Sequence, residues 1–167
     1  GELIAAFLWA QLEEADFITA ERRKLWQTYY EITKPLALQG LLRRPIIPKH
    51  CVHNAHMFYV ILSRGVKRSN VLERFQEAGV QAVFHYVPLH SSPAGRRYCR
   101  ANGPLNVTES TSERLLRLPM WCGLTLDEQQ QTVEVLKTAC QKQTSSGPRQ
   151  SRYSDIQRKA LGARSLR

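Results

Sequence analysis

The sequence predicts an α/β fold in which helices cover one face of a small open sheet. Apolar residues recur at helical spacing over residues 2–34, and two strand-like segments enclose a short helix that stops at Gly79. A capping box then precedes a final amphipathic helix. With 167 residues, of which 43% are hydrophobic and 23% charged, the chain has the size and composition of one globular domain.

The first 34 residues predict one long amphipathic helix. Its apolar positions follow one another by three, four or seven residues, which keeps them on one face; they are residues 4, 8, 12, 15, 18, 25, 29 and 32. Pro35 is expected to end the helix, because the residue before a proline is driven out of the α conformation, and Gly40 follows as a turn residue. This division leaves residues 35–140 as a small domain.

The centre of the chain predicts a strand, a helix and a second strand. Residues 54–63 are rich in β-branched and aromatic side chains, as strands are. Ser69 or Asn70 is expected to cap the helix that follows, and Gly79 occupies the usual position after a helix. The apolar run over residues 80–90 predicts the second strand, and residues 91–107 predict a loop.

Two capping boxes are expected to start two further helices. Ser110 with Glu113 precedes "RLLRLP", and Thr125 with Glu128 precedes "QQQTVEVLKTAC". The second of these helices places a set of apolar residues on one face, which is enough to cover the sheet; they are Val133, Leu136, Ala139 and Cys140.

The positive charge is concentrated at the carboxyl end. The chain has a formal net charge of +10, and residues 141–167 hold seven Lys or Arg against Asp155 alone. This segment lacks apolar periodicity and is rich in Ser, Gln and Arg, so it predicts a disordered basic tail. Its single aromatic residue, Tyr153, argues against specific nucleic-acid binding by base stacking.

Composition also bears on the compartment. The amino end has a glutamate where a secretory leader needs basic residues, and its apolar run is shorter than a membrane span. The four cysteines have no paired spacing and predict reduced thiols. A soluble cytoplasmic protein without membrane contacts is therefore expected.

No self-contained catalytic motif stands out: the sequence lacks a Gly-rich phosphate loop, a G-x-S-x-G elbow and an H-E-x-x-H pair. Cys51, His53 and His56 have metal-like spacing, but an extended segment would point the two histidines to opposite faces, so no metal site is predicted. His85 and Tyr86 end the second strand, where α/β folds tend to place ligand contacts. From the residues alone, ligand binding and simple packing are equally good interpretations of this pair.

Four segments resemble the carboxyl-terminal part of the DegT/DnrJ/EryC1/StrS sugar aminotransferases, over about residues 3–138. They are "AAFLWAQLEEADFITAERRKLWQTYYE", "NAHMFYVIL", "LERFQEAGVQAVFHYVPLHSSPAG" and "SERLLRLPMWCGLTLDEQQQTVEVL". The resemblance implies the small carboxyl-terminal domain of a fold-type I pyridoxal-phosphate transferase, preceded by a long interdomain helix. It also implies that the intact enzyme is a homodimer. Such an enzyme would transfer an amino group from glutamate to a dTDP-linked 4-keto-6-deoxyhexose, for a cell-surface polysaccharide such as enterobacterial common antigen.

The same resemblance implies that His85, Tyr86 and His90 line a nucleotide-sugar pocket, with Asn54 and His56 as weaker candidates. The lysine that forms the Schiff base with the cofactor belongs to the large domain of such enzymes, and none of the seven lysines here has that context. The chain is therefore expected to be a fragment without catalytic residues, to bind no pyridoxal phosphate and to be inactive alone. The alternative is a non-catalytic binding module that uses the basic tail as a tether.

Overall fold

The computed structural model describes residues 1–144, so the predicted disorder of the tail falls largely on residues 145–167, outside the described part. Residues 1–144 contain seven α-helices, one 3₁₀ turn and four strands. In chain order they are α1 Glu2–Glu13, α2 Ala15–Ile32, α3 Lys34–Leu38, β1 Leu42–Arg43, β2 Phe58–Leu62, α4 Arg68–Glu77, β3 Val83–Phe84, the 3₁₀ turn Leu89–Ser91, α5 Pro93–Tyr98, α6 Asn106–Arg114, β4 Leu115–Leu118 and α7 Leu126–Thr144. None of these helices is long and apolar enough to cross a membrane.

The four strands form one sheet in the order β1-β2-β4-β3, and each neighbouring pair is antiparallel. Val60 of β2 and Phe84 of β3 both pair with Leu116 of β4, from opposite sides. Because β2 and β3 both run against β4, they run in the same direction with β4 between them. The segment from β2 through α4 to β3 is therefore a split βαβ unit, and the predicted α/β fold is confirmed.

The core lies on one face of this sheet, under helices α2, α4 and α7. Alternate residues of β2 and β4 form that face and are buried; they are Phe58, Val60, Leu62, Leu116 and Leu118. Tyr29 of α2 stacks on Phe58, with ring centroids 5.2 Å apart. Its hydroxyl donates to the Pro119 carbonyl at 2.9 Å, and burial raises the pKa of Tyr29 to about 12. The long helix is thus anchored to the sheet through its second half.

The prediction of one uninterrupted helix over residues 2–34 is wrong. The helix breaks at Glu14, and α1, which precedes the break, buries none of its residues. At the other end α2 stops at Ile32, before the proline, and Pro35 lies in the first turn of α3. A proline is tolerated there because the first amides of a helix have no intrahelical acceptor, so it opens a helix instead of ending one.

Two local signals are confirmed. The Thr125 and Glu128 side chains cap each other's backbone: Thr125 N–H donates to Glu128 Oε2 at 2.8 Å, and Glu128 N–H donates to Thr125 Oγ1 at 3.3 Å. Gly79 follows α4 in the left-handed region with φ 69°, and the amides of Gly79 and Val80 donate back to Gln76 and Phe75. This is the double hydrogen bond of a Schellman motif.

Other boundaries were predicted wrongly. Ser110 and Glu113 lie inside α6 and do not start a helix, and "LLRL" of the following segment is strand β4, in which half-buried and buried residues alternate. Neither Ser69 nor Asn70 caps α4, which begins at Arg68 without a side-chain cap. Both central strands are shorter than expected, because only residues 58–62 and 83–84 pair with neighbours.

Candidate ligand loop at the end of the sheet

The histidines and tyrosine of "HYVPLH" lie on the segment that leaves β3, residues 85–92, which we call the histidine loop. β3 is an edge strand, and its last residue, Phe84, is half exposed. The loop runs from there through the 3₁₀ turn to α5. Its side chains are therefore presented at one end of the sheet, beside α6.

His85 carries an unusual nitrogen. Its side chain is half-buried, and its Nδ1 atom is buried without a hydrogen-bond partner among residues 1–144. The imidazole meets the Tyr86 ring edge-on, with centroids 5.1 Å apart. Tyr86 itself is 78% exposed, and its carbonyl accepts a hydrogen bond from Ser112 Oγ at 3.4 Å. A buried polar atom without a partner is costly to the fold.

His90 contacts helix α6. It lies in the 3₁₀ turn, and its Nε2 atom is 3.2 Å from Oε1 of Glu109, which is in the first turn of α6. The His90 side chain is 18% exposed and that of Glu109 51%. This contact ties the histidine loop to α6.

Hydrogen bonds of Ser91 and Ser92 order the backbone at the end of the loop, and one of them joins it to Gly95 of α5. Ser91 Oγ donates to the Pro88 carbonyl at 3.0 Å. Ser92 Oγ donates to the Leu89 carbonyl at 2.8 Å and accepts from the Gly95 amide at 3.0 Å, which caps α5. Both hydroxyls are thus engaged with backbone groups. These bonds order the backbone around His90, between Pro88 and Gly95.

Asn54 and His56 lie in a second constrained segment, just before β2. Ala55 between them is buried and has φ 51°, a left-handed conformation that non-glycine residues seldom adopt. Arg22 of α2 donates to the carbonyls of Ala55, at 3.2 Å, and His56, and Arg23 donates to the His53 carbonyl at 3.0 Å. These guanidinium groups hold the backbone in that conformation.

The side chains of this second segment have local partners of their own. Asn54 Oδ1 accepts from the His56 amide at 3.0 Å, and His53 Nδ1 accepts from the Ala55 amide at 3.3 Å. The His53 ring packs on Trp26, with centroids 4.5 Å apart. His53 therefore packs on α2 and orders the backbone at Ala55. Residues 1–144 contain no cluster of three side chains that could hold a metal ion.

The five predicted site residues do not form one cluster. Asn54 and His56 precede β2, whereas His85, Tyr86 and His90 follow β3. Since these two strands run in the same direction, the start of one and the end of the other lie at opposite ends of the sheet. The predicted residues therefore fall into two groups: Asn54 with His56, and His85 and Tyr86 with His90 further along the same loop.

Sequence reasoning missed Glu109 and the arginine pair. Glu109 is 19 positions from His90, and Arg22 and Arg23 are 30 or more positions from the carbonyls they bind. No short motif marks such long-range contacts. The sequence offers one hint of Glu109: it is the first acidic residue after Glu77, so it is the nearest following acid that the histidine loop could meet.

Comparison with known proteins identifies the fold and family. The profile of the DegT/DnrJ/EryC1/StrS aminotransferase family matches residues 1–137. The chain belongs to this family. A curated relative, the "pleiotropic regulatory protein" of Geobacillus stearothermophilus, is 29% identical over 134 residues, which are 80% of this chain and 35% of the relative. The dTDP-3-amino-3,4,6-trideoxy-alpha-D-glucose transaminase of Micromonospora megalomicea subsp. nigra is 27% identical over 138 residues, or 81% and 36% of the two chains.

Solved structures of similar proteins have the same fold. DesV of S. venezuelae, in complex with a ketimine intermediate, superposes with a TM-score of 0.70 at 24% identity, over 81% of this chain and 35% of DesV. Helicobacter pylori PseC, an aminotransferase involved in the biosynthesis of pseudoaminic acid, gives 0.70 at 19% identity, over 80% and 36%. The chain therefore spans about a third of the length of these relatives.

DegT/DnrJ/EryC1/StrS enzymes depend on pyridoxal phosphate, and the described residues do not fit that cofactor. Schiff-base chemistry needs a lysine in a protected site and an acid for the pyridine nitrogen. Every lysine of residues 1–144 is exposed or half-buried, and Lys24 and Lys137 pair with glutamates one turn away on helix surfaces. No Asp or Glu side chain is buried within the same range.

Proposed function

We propose that the chain is the small-domain part of a nucleotide-sugar aminotransferase and that its histidine loop forms one wall of the substrate pocket. The observation that carries this proposal is the buried, partnerless Nδ1 atom of His85, next to the exposed ring of Tyr86. Ligand pockets combine a rigid frame with a few polar groups whose hydrogen bonds await the ligand. The histidine loop has both properties.

The proposed reaction is the transfer of an amino group from glutamate to a dTDP-linked 4-keto-6-deoxyhexose. The four segments over about residues 3–138, taken together, resemble the dTDP-4-amino-4,6-dideoxygalactose transaminase of enterobacterial common antigen synthesis. The relative from Micromonospora megalomicea is a dTDP-amino-sugar transaminase. His85, Tyr86 and His90 would contact the nucleotide sugar. Asn54 and His56 lie at the other end of the sheet and would make a separate contact.

Pyridoxal phosphate and the reacting lysine would be supplied by a cofactor-binding domain of the intact homodimeric enzyme. In the intact enzyme the residues of this chain would bind and orient the sugar. They would carry no proton transfer at the reacting carbon. We therefore propose that the chain has no transaminase activity by itself. An absorbance band of an imine on adding pyridoxal phosphate, removed by substitution of one lysine, would contradict this proposal.

Nucleotide-sugar binding can be tested directly on the full chain. Amide NMR spectra recorded during titration with dTDP-linked deoxyhexose should change at residues 84–92, and the changes should be smaller in His85→Ala. Arg64→Ala is a matched control, because Arg64 is exposed and lies in the turn after β2. Changes that are confined to the Asn54–His56 segment, or equal in both variants, would argue against the pocket wall.

A non-catalytic regulatory module is the second candidate. It is favoured by the name of the 29% identical relative, a pleiotropic regulatory protein, and by the poor fit of residues 1–144 to the cofactor. Such a module, with the basic tail as a tether, would bind polyanions in a strongly salt-dependent way. If the chain binds the sugar nucleotide but no oligonucleotide at low salt, the tethered module is excluded and the substrate-pocket proposal is supported.

A further inference from the structure

Glu109 makes a contact that gives it a role in ligand binding. We propose that Glu109 is a positioning residue for His90, which fixes the imidazole so that Nδ1 is the ring nitrogen presented to the nucleotide sugar. This inference rests on the proposed function of the histidine loop. It adds a residue of α6, outside the loop, to the substrate-binding machinery.

The chemistry of the contact decides which ring nitrogen of His90 carries the hydrogen. An ionised carboxylate can only accept hydrogen bonds, so the nitrogen that faces it must carry a hydrogen. That nitrogen is His90 Nε2, 3.2 Å from Glu109 Oε1. Nδ1 of His90 is then the remaining ring nitrogen, and it has no hydrogen-bond partner within residues 1–144. A carboxylate on one ring nitrogen sets the tautomer and orientation of the other.

The fold holds both His90 and Glu109 in place. The turn that carries His90 is closed by the hydroxyl bonds of Ser91 and Ser92 to backbone carbonyls. It is pressed against α5 so closely that a Cβ on Gly95 would lie 1.7 Å from the Leu89 carbonyl oxygen. Glu109 lies in the first turn of α6, where the helix dipole favours a negative charge.

The contact between Glu109 and His90 differs from an ordinary surface ion pair. Glu109 is 51% exposed, and pairs at such sites add little to stability. The His90 ring, however, is only 18% exposed, and Glu109 is the first carboxylate after Glu77 in the sequence. A single acid placed on a largely enclosed ring, in a stretch that is otherwise without acids, is suited to orienting that ring.

The tautomer can be measured without any ligand. In the full chain with ¹⁵N-labelled histidine, the neutral His90 ring should show well-separated Nδ1 and Nε2 shifts, as expected for a single Nε2–H form. Glu109→Ala should move the two shifts towards each other, because both tautomers become populated. Glu109→Gln should restore the separation, since its amide oxygen can accept the same bond. Glu113→Ala, on the same helix one turn later, is the matched control.

Two results of the NMR experiment would overturn the proposal. They are averaged His90 shifts in the unsubstituted chain, or shifts that Glu109→Ala leaves unchanged. Neither depends on what the loop binds.

Ligand affinity provides the second test. If His90 contacts the dTDP-linked sugar, Glu109→Ala should weaken binding about three- to tenfold, as for the loss of one oriented hydrogen bond, whereas Glu109→Gln should stay near the original affinity. Equal affinity of all three chains, with the tautomer effect present, would contradict a role in binding. No detectable binding by any chain would instead count against the proposed function and leave the tautomer result intact.

Discussion

Gly95 illustrates how a single missing side chain can shape the candidate site. It is buried where the first turn of α5 meets the 3₁₀ turn. A Cβ at this position would meet backbone atoms of Leu89, which cannot swing away as a flexible side chain could. We expect Gly95→Ala to lower the free energy of unfolding by about 2 kcal/mol, the usual scale for overpacking, measured by urea denaturation.

Gly65 is the matched control for this substitution. It lies in the turn after β2 and does not have a positive φ, and a Cβ added there would meet no neighbouring side chain or backbone within 4 Å. Gly65→Ala should leave stability unchanged or raise it by about 0.5 kcal/mol, because alanine restricts the unfolded chain. Equal losses in both variants would mean that the close approach at Gly95 is unimportant.

His85 offers a prediction in which stability and binding move apart. The buried Nδ1 atom makes no hydrogen bond within residues 1–144. Replacing the imidazole by an apolar ring therefore removes an unsatisfied polar atom. His85→Phe should therefore change the free energy of unfolding by less than about 0.5 kcal/mol, or raise it, while it weakens dTDP-sugar binding. A loss of several kcal/mol in urea denaturation would show that His85 is needed for packing instead.

At the scale of elements, the capping box of α7 predicts a pH effect. Hydrogen bonds from the Thr125 amide and hydroxyl hold the pKa of Glu128 below its ordinary value of 4.5. A carboxyl whose pKa is lowered by folding stabilises the fold above its unfolded pKa, and that contribution is lost as pH falls through the folded pKa.

The variant Glu128→Gln isolates this contribution. At neutral pH it should be less stable than the unsubstituted chain. The difference should shrink as pH falls from 4.5 through the lower folded pKa, because Glu128 then becomes uncharged like the glutamine. Urea denaturation at about pH 7, 5 and 3 measures it. A difference that stays constant over this range would contradict the charged cap. Glu73→Gln, at an exposed position of α4 where no hydrogen bond or ion pair within residues 1–144 engages the carboxylate, controls for loss of charge alone.

The elements also indicate what can be predicted from sequence. Thr125 with Glu128, and Gly79, are signals whose hydrogen bonds close within a few residues, so the sequence around them contains the whole interaction. The segment 115–118 is different: its few residues fit either a helix or a strand, and its pairing with both β2 and β3 is decided by partners far away in the chain. Ser110 and Glu113 have capping-box spacing, but α6 has already begun at Asn106.

The candidate site follows the same division. His85 and Tyr86 could be noticed from the residues alone, as polar residues at a strand end, whereas His90 is named through the resemblance to the family. Their role in binding stays a prediction. The supporting contact of Glu109 could not be noticed in this way, because Glu109 reaches the loop from another helix. The separation of Asn54 and His56 from the other three also depends on strand order, which no local pattern encodes.

At the scale of the whole molecule, α1 is the feature that the rest of the described fold leaves uncovered. None of its residues is buried, although it contains large apolar side chains on most of its surface; these are Leu3, Ile4, Phe7, Leu8, Trp9 and Leu12. Phe7 is 72% and Trp9 67% exposed. A helix that is apolar nearly all round is typical of a buried position, and α1 lies within the part of the chain that matches the family.

Exposed apolar surface of this kind favours association, so the full chain should sediment as dimers or larger species at micromolar concentration. Replacing Phe7 and Trp9 by serine should shift it towards monomer, whereas Val52→Ser, at an exposed position outside α1, should not.

The salt dependence of association distinguishes this mechanism from one based on the basic tail. Association through α1 should persist or strengthen at high salt, because screening reduces repulsion between the acidic residues beside it, Glu13, Glu14 and Asp16. Association between the basic tail and acidic surfaces would weaken under the same conditions, and a chain that sediments as monomer throughout would contradict both mechanisms.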